Sequence, residues 1–174
     1  MQPRPSPAYL AAYPVHLQQQ VLALIEQGRF AAALLGRYPQ AHAVRSDSAL
    51  YDYVQALKAE HLRSAPPLGK VRFDNTLHVI RNALGTHTAI SRVQGARLQA
   101  KREIHIATLF RAAPEAFLRM IVVHELAHLR VRAHDKAFYQ LCLHMEPDYH
   151  QYEFDLRAYL AYRDAGGEVL WAGP

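Results

Sequence analysis

The chain has 174 residues, of which 51% are hydrophobic and 20% charged, with one cysteine and a formal net charge of +5. This profile excludes a disordered or low-complexity protein, and one cysteine excludes an intramolecular disulfide. The sequence has no apolar run like that of a secretory signal or a membrane span, so we expect a cytoplasmic protein without membrane contact.

The positive charge is concentrated in the middle of the chain. Residues 63–136 contain 13 Lys and Arg against 5 Asp and Glu, whereas residues 137–174 contain 2 against 6. A basic segment of this kind can attract phosphates, nucleic acid or acidic peptides. Ordinary solvated faces of helices and strands explain it equally well.

Residues 1–65 are predicted to form an N-terminal helical region. Apolar residues recur at helical spacing over 14–27, over 29–36 and in a segment that runs from Ser46 or Ser48 to Arg63. No group of residues there suggests chemistry, so we expect these helices to cover the catalytic part or a partner surface. The breaker cluster at 64–69 marks the boundary.

Residues 66–165 are predicted to form the main domain, which begins with a small, mostly antiparallel sheet. Alternating patterns indicate strands within 70–75, 77–81, 86–93 and 96–108, with a hairpin turn at Gln94-Gly95. We expect the last strand, residues 101–108, to lie at an edge of the sheet where an extended peptide could pair with it. The expected fold class is therefore α+β.

The stretch 122–134, VVHELAHLRVRAH, continues an apolar run that predicts a buried helix. Four residues along a helix turn about 400°, so the rings of His124 and His128 lie on one face and can share a cation. Glu125 lies about 100° further round than His124. Its carboxylate is therefore placed beside the metal, where it can accept a proton from a water that the metal holds.

His134 follows His128 by six residues, about 600° of helical rotation, so the helix must end before His134 can join the site. Three imidazole ligands suit Zn²⁺ and leave a fourth position open, which is typical of catalytic zinc sites. Glu153, from a later helix, is the alternative third ligand. Ordinary helix histidines or a structural zinc site would also match the pattern, but structural sites favour cysteine and the chain contains only Cys142.

Two more helices are predicted after this motif, over 135–145 and 149–163, followed by a short tail at 166–174. The first has a stripe at helical spacing, which consists of Phe138, Leu141, Cys142 and Met145. Cys142 and Met145 on that stripe are interpreted as core residues rather than as a nucleophile and a turn methionine at the metal.

The segment HELAHLRVRAHDKAFYQLCLHMEPDY resembles the YgjP-like metallopeptidases, relatives of the SprT-like and WLM families within the zincin group. The resemblance covers about residues 101–160. It implies a compact zincin-like fold in which His124, His128 and His134 hold Zn²⁺ and Glu125 is the catalytic base. Upstream, residues 91–100 read SRVQGARLQA where this family commonly has a W-G-S-C box.

These observations predict a zinc-dependent hydrolase, with a metallopeptidase acting on a peptide or protein substrate as the first hypothesis. Glu125 is its general base, and Tyr149 of the P-D-Y segment is a candidate donor to the developing oxyanion. A second hypothesis is a phosphodiester or nucleotide hydrolase, because YbeY-like endoribonucleases share the H-x3-H-x5-H spacing and the basic segment suits such substrates. A third is a zinc-braced module that binds nucleic acid or protein without turnover.

Overall fold

The computed structural model describes residues 7–77, 91–95 and 102–172, which form six α-helices and a three-stranded sheet. The helices are α1 (Val15–Glu26), α2 (Phe30–Arg37), α3 (Asp47–His61), α4 (Glu115–Ala127), α5 (Lys136–Met145) and α6 (Tyr149–Asp164). The strands are β1 (Leu68–Asp74), β2 (Ser91–Gly95) and β3 (Arg102–Ala107). The predicted α+β class is confirmed. None of the described helices is long and apolar enough to cross a bilayer.

The sheet is mixed, with the strand order β1-β3-β2. β1 runs parallel to β3, with Val71 opposite Ile104 and Phe73 opposite Ile106, whereas β2 runs antiparallel to β3. The prediction of a mostly antiparallel sheet is therefore wrong for the pairing of β1 with β3. Side chains alternate in the same way in both kinds of ladder, so a period of two residues does not reveal strand direction.

β3 is the central strand and is paired along both edges. The prediction that residues 101–108 form an edge strand open to a peptide is therefore wrong. Gln94 and Gly95 pair with Glu103 and Arg102 in the ladder, so the turn predicted at these two residues is also wrong. The strands predicted within 77–81 and 86–93 fall largely on residues 78–90, which lie outside the described part of the chain.

α3 joins the N-terminal helices to the sheet. Ser46 caps it, because its hydroxyl accepts a hydrogen bond from the Ala49 backbone N–H at 3.1 Å. Of the two predicted caps, Ser46 and Ser48, the structure has Ser46. Asp47 in its first turn accepts a hydrogen bond from the Phe73 N–H of β1 at 2.9 Å. The buried face of α3 consists of Leu50, Val54 and Leu57 and belongs to the same apolar core as the sheet.

α4 is the buried helix that the sequence predicts. Residues 117–118 and 120–127 are all buried, so the helix meets apolar neighbours nearly all the way round. It begins directly after Pro114, which has no N–H to leave unsatisfied. α6 packs beside it, and Asp155 of α6 accepts hydrogen bonds from Arg37 at 2.9 Å and from Tyr38 at 2.5 Å. The core therefore encloses α4 over most of its length.

Candidate metal centre

Three imidazole rings converge where α4 ends. Nε2 of His124 lies 3.2 Å from Nε2 of His128 and 3.3 Å from Nε2 of His134, and the latter two nitrogens are 3.0 Å apart. Two nitrogens bound to a tetrahedral zinc at about 2.0–2.1 Å are about 3.3–3.4 Å apart. The observed spacing thus fits one shared cation, and no other group of this kind occurs within residues 7–77, 91–95 and 102–172.

The chain reaches the third histidine by ending one helix and beginning another. Ala127 is the last residue of α4 and His128 is its C-cap, so the helix ends before His134, as the sequence predicts. Asp135 then caps α5, because its carboxylate accepts a hydrogen bond from the Phe138 backbone N–H at 3.0 Å. This cap fixes the direction of the chain one residue after His134.

The outer nitrogens of two of these rings meet neutral oxygen atoms. Nδ1 of His128 lies 3.0 Å from the carbonyl oxygen of Val131, and Nδ1 of His124 lies 2.8 Å from the hydroxyl of Tyr149. A carbonyl only accepts, so Nδ1 of His128 carries the proton and Nε2 presents its lone pair to the centre. Burial lowers the pKa of His128, which favours the neutral ring that a metal ligand requires.

The aromatic ring of Phe138 packs against all three imidazoles. Its ring centroid lies 4.9 Å from that of His124, 4.6 Å from that of His128 and 4.9 Å from that of His134. The ring is fully buried. Sequence reasoning placed Phe138 on the apolar stripe of α5 and missed its contact with the histidines. The signal that could have revealed it was its position in the first turn of a helix that begins directly after the third histidine.

Glu125 follows His124 on α4 and is 1% exposed. The expected place of its carboxylate beside the metal and its role as the general base both stay predictions. Burial keeps solvent from competing for this carboxylate, and a proton acceptor in a catalytic site benefits from such shielding.

Tyr149 is the first residue of α6 and is fully buried. Its hydroxyl contacts Nδ1 of His124, which lies across the ring from the nitrogen that faces the other two histidines. Burial raises the pKa of Tyr149 well above its usual range, so the phenol keeps its proton. This contact is with the outer side of a candidate ligand, and the role of Tyr149 as an oxyanion donor stays a prediction.

The alternative third ligand, Glu153, is engaged elsewhere. Its Oε1 accepts hydrogen bonds from Nε of Arg157 at 3.2 Å and from Nη2 at 3.1 Å, one turn further along α6. The structure thus favours His134 over Glu153. Burial raises the pKa of the Cys142 thiol to about 12, and Met145 is also buried, so both residues are core residues as predicted.

A further buried histidine belongs to a different arrangement, the sheet network of Arg72, Asp74, Thr76, Glu103 and His105. Nδ1 of His105 lies 2.8 Å from Asp74 and Nε2 lies 3.0 Å from Glu103. Thr76 donates to Asp74 through its hydroxyl at 2.6 Å and its backbone N–H at 2.9 Å. These bonds from Thr76, together with that from His105, hold the pKa of Asp74 well below its usual range. The network ties β1 to β3.

The chain is similar to known proteins over most of its length. The family model described as "YgjP-like, metallopeptidase domain" matches residues 81–159. The chain is also 58% identical over 158 residues to a protein of Escherichia coli (strain K12) named UTP pyrophosphatase, and the match covers 91% of this chain and 95% of that protein. No solved structure matches the chain.

Proposed function

The chain belongs to the YgjP-like metallopeptidase-domain family, and from this premise we propose that it is a zinc-dependent hydrolase whose substrate is a nucleoside triphosphate such as UTP. The observation that carries the proposal is the convergence of three imidazole Nε2 atoms within 3.0–3.3 Å of one another. The substrate class is carried over from the relative named UTP pyrophosphatase.

The charges around the three histidines favour an anionic substrate. The three rings are neutral as metal ligands, and two of them have neutral partners in Val131 and Tyr149. These neutral ligands would therefore leave the charge of a divalent cation unneutralised. The carboxylate next to a ligand in sequence is that of Glu125. A triphosphate brings several negative charges to such a centre, whereas an unmodified peptide bond brings none.

Three exposed basic residues surround the ligands in sequence. Arg130, Arg132 and Lys136 each lie two residues from His128 or His134. Exposed cations so close to the site raise the local concentration of anionic substrates and hasten their association. We infer that the basic residues of the segment 63–136 that lie next to the ligands in sequence attract the phosphates of the substrate.

When bound, Zn²⁺ supplies a Lewis acid for a phosphoryl oxygen and makes an associated water more acidic. His124, His128 and His134 would hold the ion. Glu125 accepts the proton of the attacking water, and the oxygen of that water forms the new bond to phosphorus. For a pyrophosphatase the bond that breaks joins the α-phosphorus to the bridging oxygen, so UTP and water yield UMP and pyrophosphate.

A metallopeptidase is the second candidate, because Glu125 in the H-E-x-x-H motif and the matching family model are both typical of that class. The pairing of β3 on both edges removes the strand that was expected to receive the peptide. The nucleotide hypothesis needs no such edge.

The test compares the zinc-loaded protein with its Glu125→Gln variant on four substrates, namely UTP, the other nucleoside triphosphates, RNA and casein. We expect release of UMP and pyrophosphate by the wild type and a loss of about 10²–10⁴-fold in the variant, with zinc content unchanged. Glu115→Gln, an exposed carboxylate in the first turn of the same helix, is the matched control and should keep full activity.

Each different outcome has a definite meaning. Casein cleavage that depends on Glu125, without nucleotide turnover, identifies a peptidase and contradicts the proposed substrate. UTP hydrolysis that survives Glu125→Gln refutes the role of Glu125 as the base. If no substrate is turned over and RNA binding weakens steeply with salt, the chain is a binding module.

A further inference from the structure

We propose that Tyr149 is a positioning residue for the metal centre, which holds His124 in the orientation and tautomer that a cation requires and thereby sets the metal affinity. This inference rests on the metal site of the proposed function. The geometry that carries it is the hydrogen bond of 2.8 Å between the Tyr149 hydroxyl and Nδ1 of His124, both of which are fully buried.

The bond fixes which nitrogen of His124 is free to bind a metal. Nε2 points at the other two histidines, so a cation there requires its lone pair and leaves the proton on Nδ1. That N–H lies away from water and needs an acceptor, because an unsatisfied buried donor is costly. The Tyr149 oxygen is this acceptor. Without it, His124 can flip or exchange its tautomer and lose its alignment.

The side chain of Tyr149 is held in place by contacts between α4 and the turn that precedes α6. Arg119 on α4 forms an ion pair with Glu146, and the carbonyl oxygen of Glu146 accepts a hydrogen bond from the Tyr149 backbone N–H at 3.1 Å. A carboxylate oxygen of Glu146 also accepts from the Asp148 N–H at 3.0 Å. The turn that starts α6 is therefore tied to the helix that carries His124, and the two partners of the hydrogen bond cannot move independently.

The partner of His124 is an uncharged side chain. A phenol oxygen that accepts the Nδ1 proton of His124 brings no negative charge to the ring. A tyrosine therefore takes the place that a carboxylate often occupies behind a metal-bound histidine. A neutral partner leaves more of the cation's positive charge to act on an anionic substrate.

The direct test measures zinc affinity by competition with a chromophoric chelator for the wild type and Tyr149→Phe. Loss of a partner of this kind typically weakens metal binding by about 10–100-fold, and we expect a change in that range. Tyr152→Phe is the matched control, because it removes a hydroxyl from the same helix at a ring that packs on Tyr38. Its zinc affinity should stay within about twofold of the wild type.

A second readout uses only the wild-type protein. In the zinc-loaded state the Nδ1 proton of His124 should give a slowly exchanging NMR signal with a nuclear Overhauser contact to the Tyr149 ring. Absence of that signal in a zinc-loaded protein overturns the inference even if Tyr149→Phe does not fold. Thermal unfolding of the metal-free proteins shows whether the variant folds, and unchanged zinc affinity in a folded variant also overturns it.

These outcomes separate the two proposals. A wild-type protein that binds no zinc contradicts the metal site itself and, with it, the inference. A wild type that binds zinc and hydrolyses UTP, beside a Tyr149→Phe variant of equal zinc affinity, contradicts only the role of Tyr149.

Discussion

The metal centre and the sheet network each contain a shielded histidine with both ring nitrogens engaged, yet the partners differ. Nε2 of His124 faces two other imidazole nitrogens, and its Nδ1 lies 2.8 Å from the hydroxyl of Tyr149. His105 faces a carboxylate at each nitrogen, Asp74 on one side and Glu103 on the other. The partners of a histidine therefore indicate its task better than its burial does.

The chemistry behind this contrast is simple. Lone pairs that converge have no donor among themselves and require a cation, whereas an imidazole between two carboxylates already has a hydrogen-bond partner at each ring nitrogen. The first arrangement is expected to govern metal content and hydrolysis, and the second is expected to govern the stability of the sheet. The following variants test that division.

The largest effect is expected from His134→Ala. Loss of one of three ligands should lower zinc affinity by at least about 100-fold and reduce hydrolysis to background, because the two remaining imidazoles hold the ion poorly. The metal-free protein should unfold at nearly the same temperature, since His134 is only partly buried. His105→Ala is the control. The His105→Ala variant should keep its zinc content and lose stability. Loss of zinc from this variant would contradict the division of roles between the metal centre and the sheet network.

Phe138→Ala should impair both stability and metal binding. Removal of a fully buried phenylalanine typically costs about 3–5 kcal/mol, and here it also leaves a cavity beneath the three imidazoles. Phe30→Ala provides the matched control, because Phe30 is buried against Tyr162 of α6. Urea unfolding should show similar losses, with zinc affinity reduced only for Phe138→Ala; equal affinities would exclude Phe138 as a support of the ligands.

The Asp74→Asn variant tests the sheet network through the pH dependence of the unfolding free energy. The pKa of Asp74 is lower in the fold than in the unfolded chain, so its stabilisation is present above about pH 4 and is lost as the pH falls through the folded value. Loss of hydrogen bonds to an ionised group costs about 1.5–3 kcal/mol. The difference in unfolding free energy between wild type and variant should thus be larger at pH 7 than at pH 3.

Zinc content and hydrolysis at pH 7 should not change in folded Asp74→Asn. The exposed Asp52→Asn on α3 is the control for removal of a carboxylate and should show no such dependence on pH. A difference that grows as the pH falls would contradict the assigned hydrogen bonds of Asp74.

The smallest effect is expected from the helix cap beside the third histidine. Asp135→Ala should cost about 1 kcal/mol, and so should Ser46→Ala, because each removes a side chain that accepts a backbone N–H at the start of a helix. Only Asp135→Ala should also weaken zinc binding, since its cap orients the chain at His134. Equal zinc affinities in these two variants would show that the cap does not position the ligand.

The helix of the metal centre could be predicted because its signals are local. The apolar run of α4 and the spacing of His124 and His128 are properties of one turn of helix, and the rotation to His134 requires the helix to end. The cap at Ser46 is local in the same sense, since its hydroxyl bonds to the third residue after it. The structure agrees with each of these predictions.

The contacts that support the centre were missed because they join separate elements. Tyr149 lies 25 residues after His124, and the sequence shows only that a tyrosine follows Pro147 and Asp148. Its predicted place on the open side of the metal assumed an orientation that depends on how α6 packs against α4. Phe138 was likewise assigned to the core, and only the packing of α5 shows that this part of the core lies under the imidazoles.

By itself, the sequence determined the helices, the two histidines on one helical face and the adjacent carboxylate, because spacing along a helix fixes which side chains share a face. The tertiary structure alone decided the parallel pairing of β1 with β3, the central position of β3 and the partner of each ring nitrogen. Strand direction and hydrogen bonds between elements depend on how the chain returns in space, and alternation of residue types carries no information about that path.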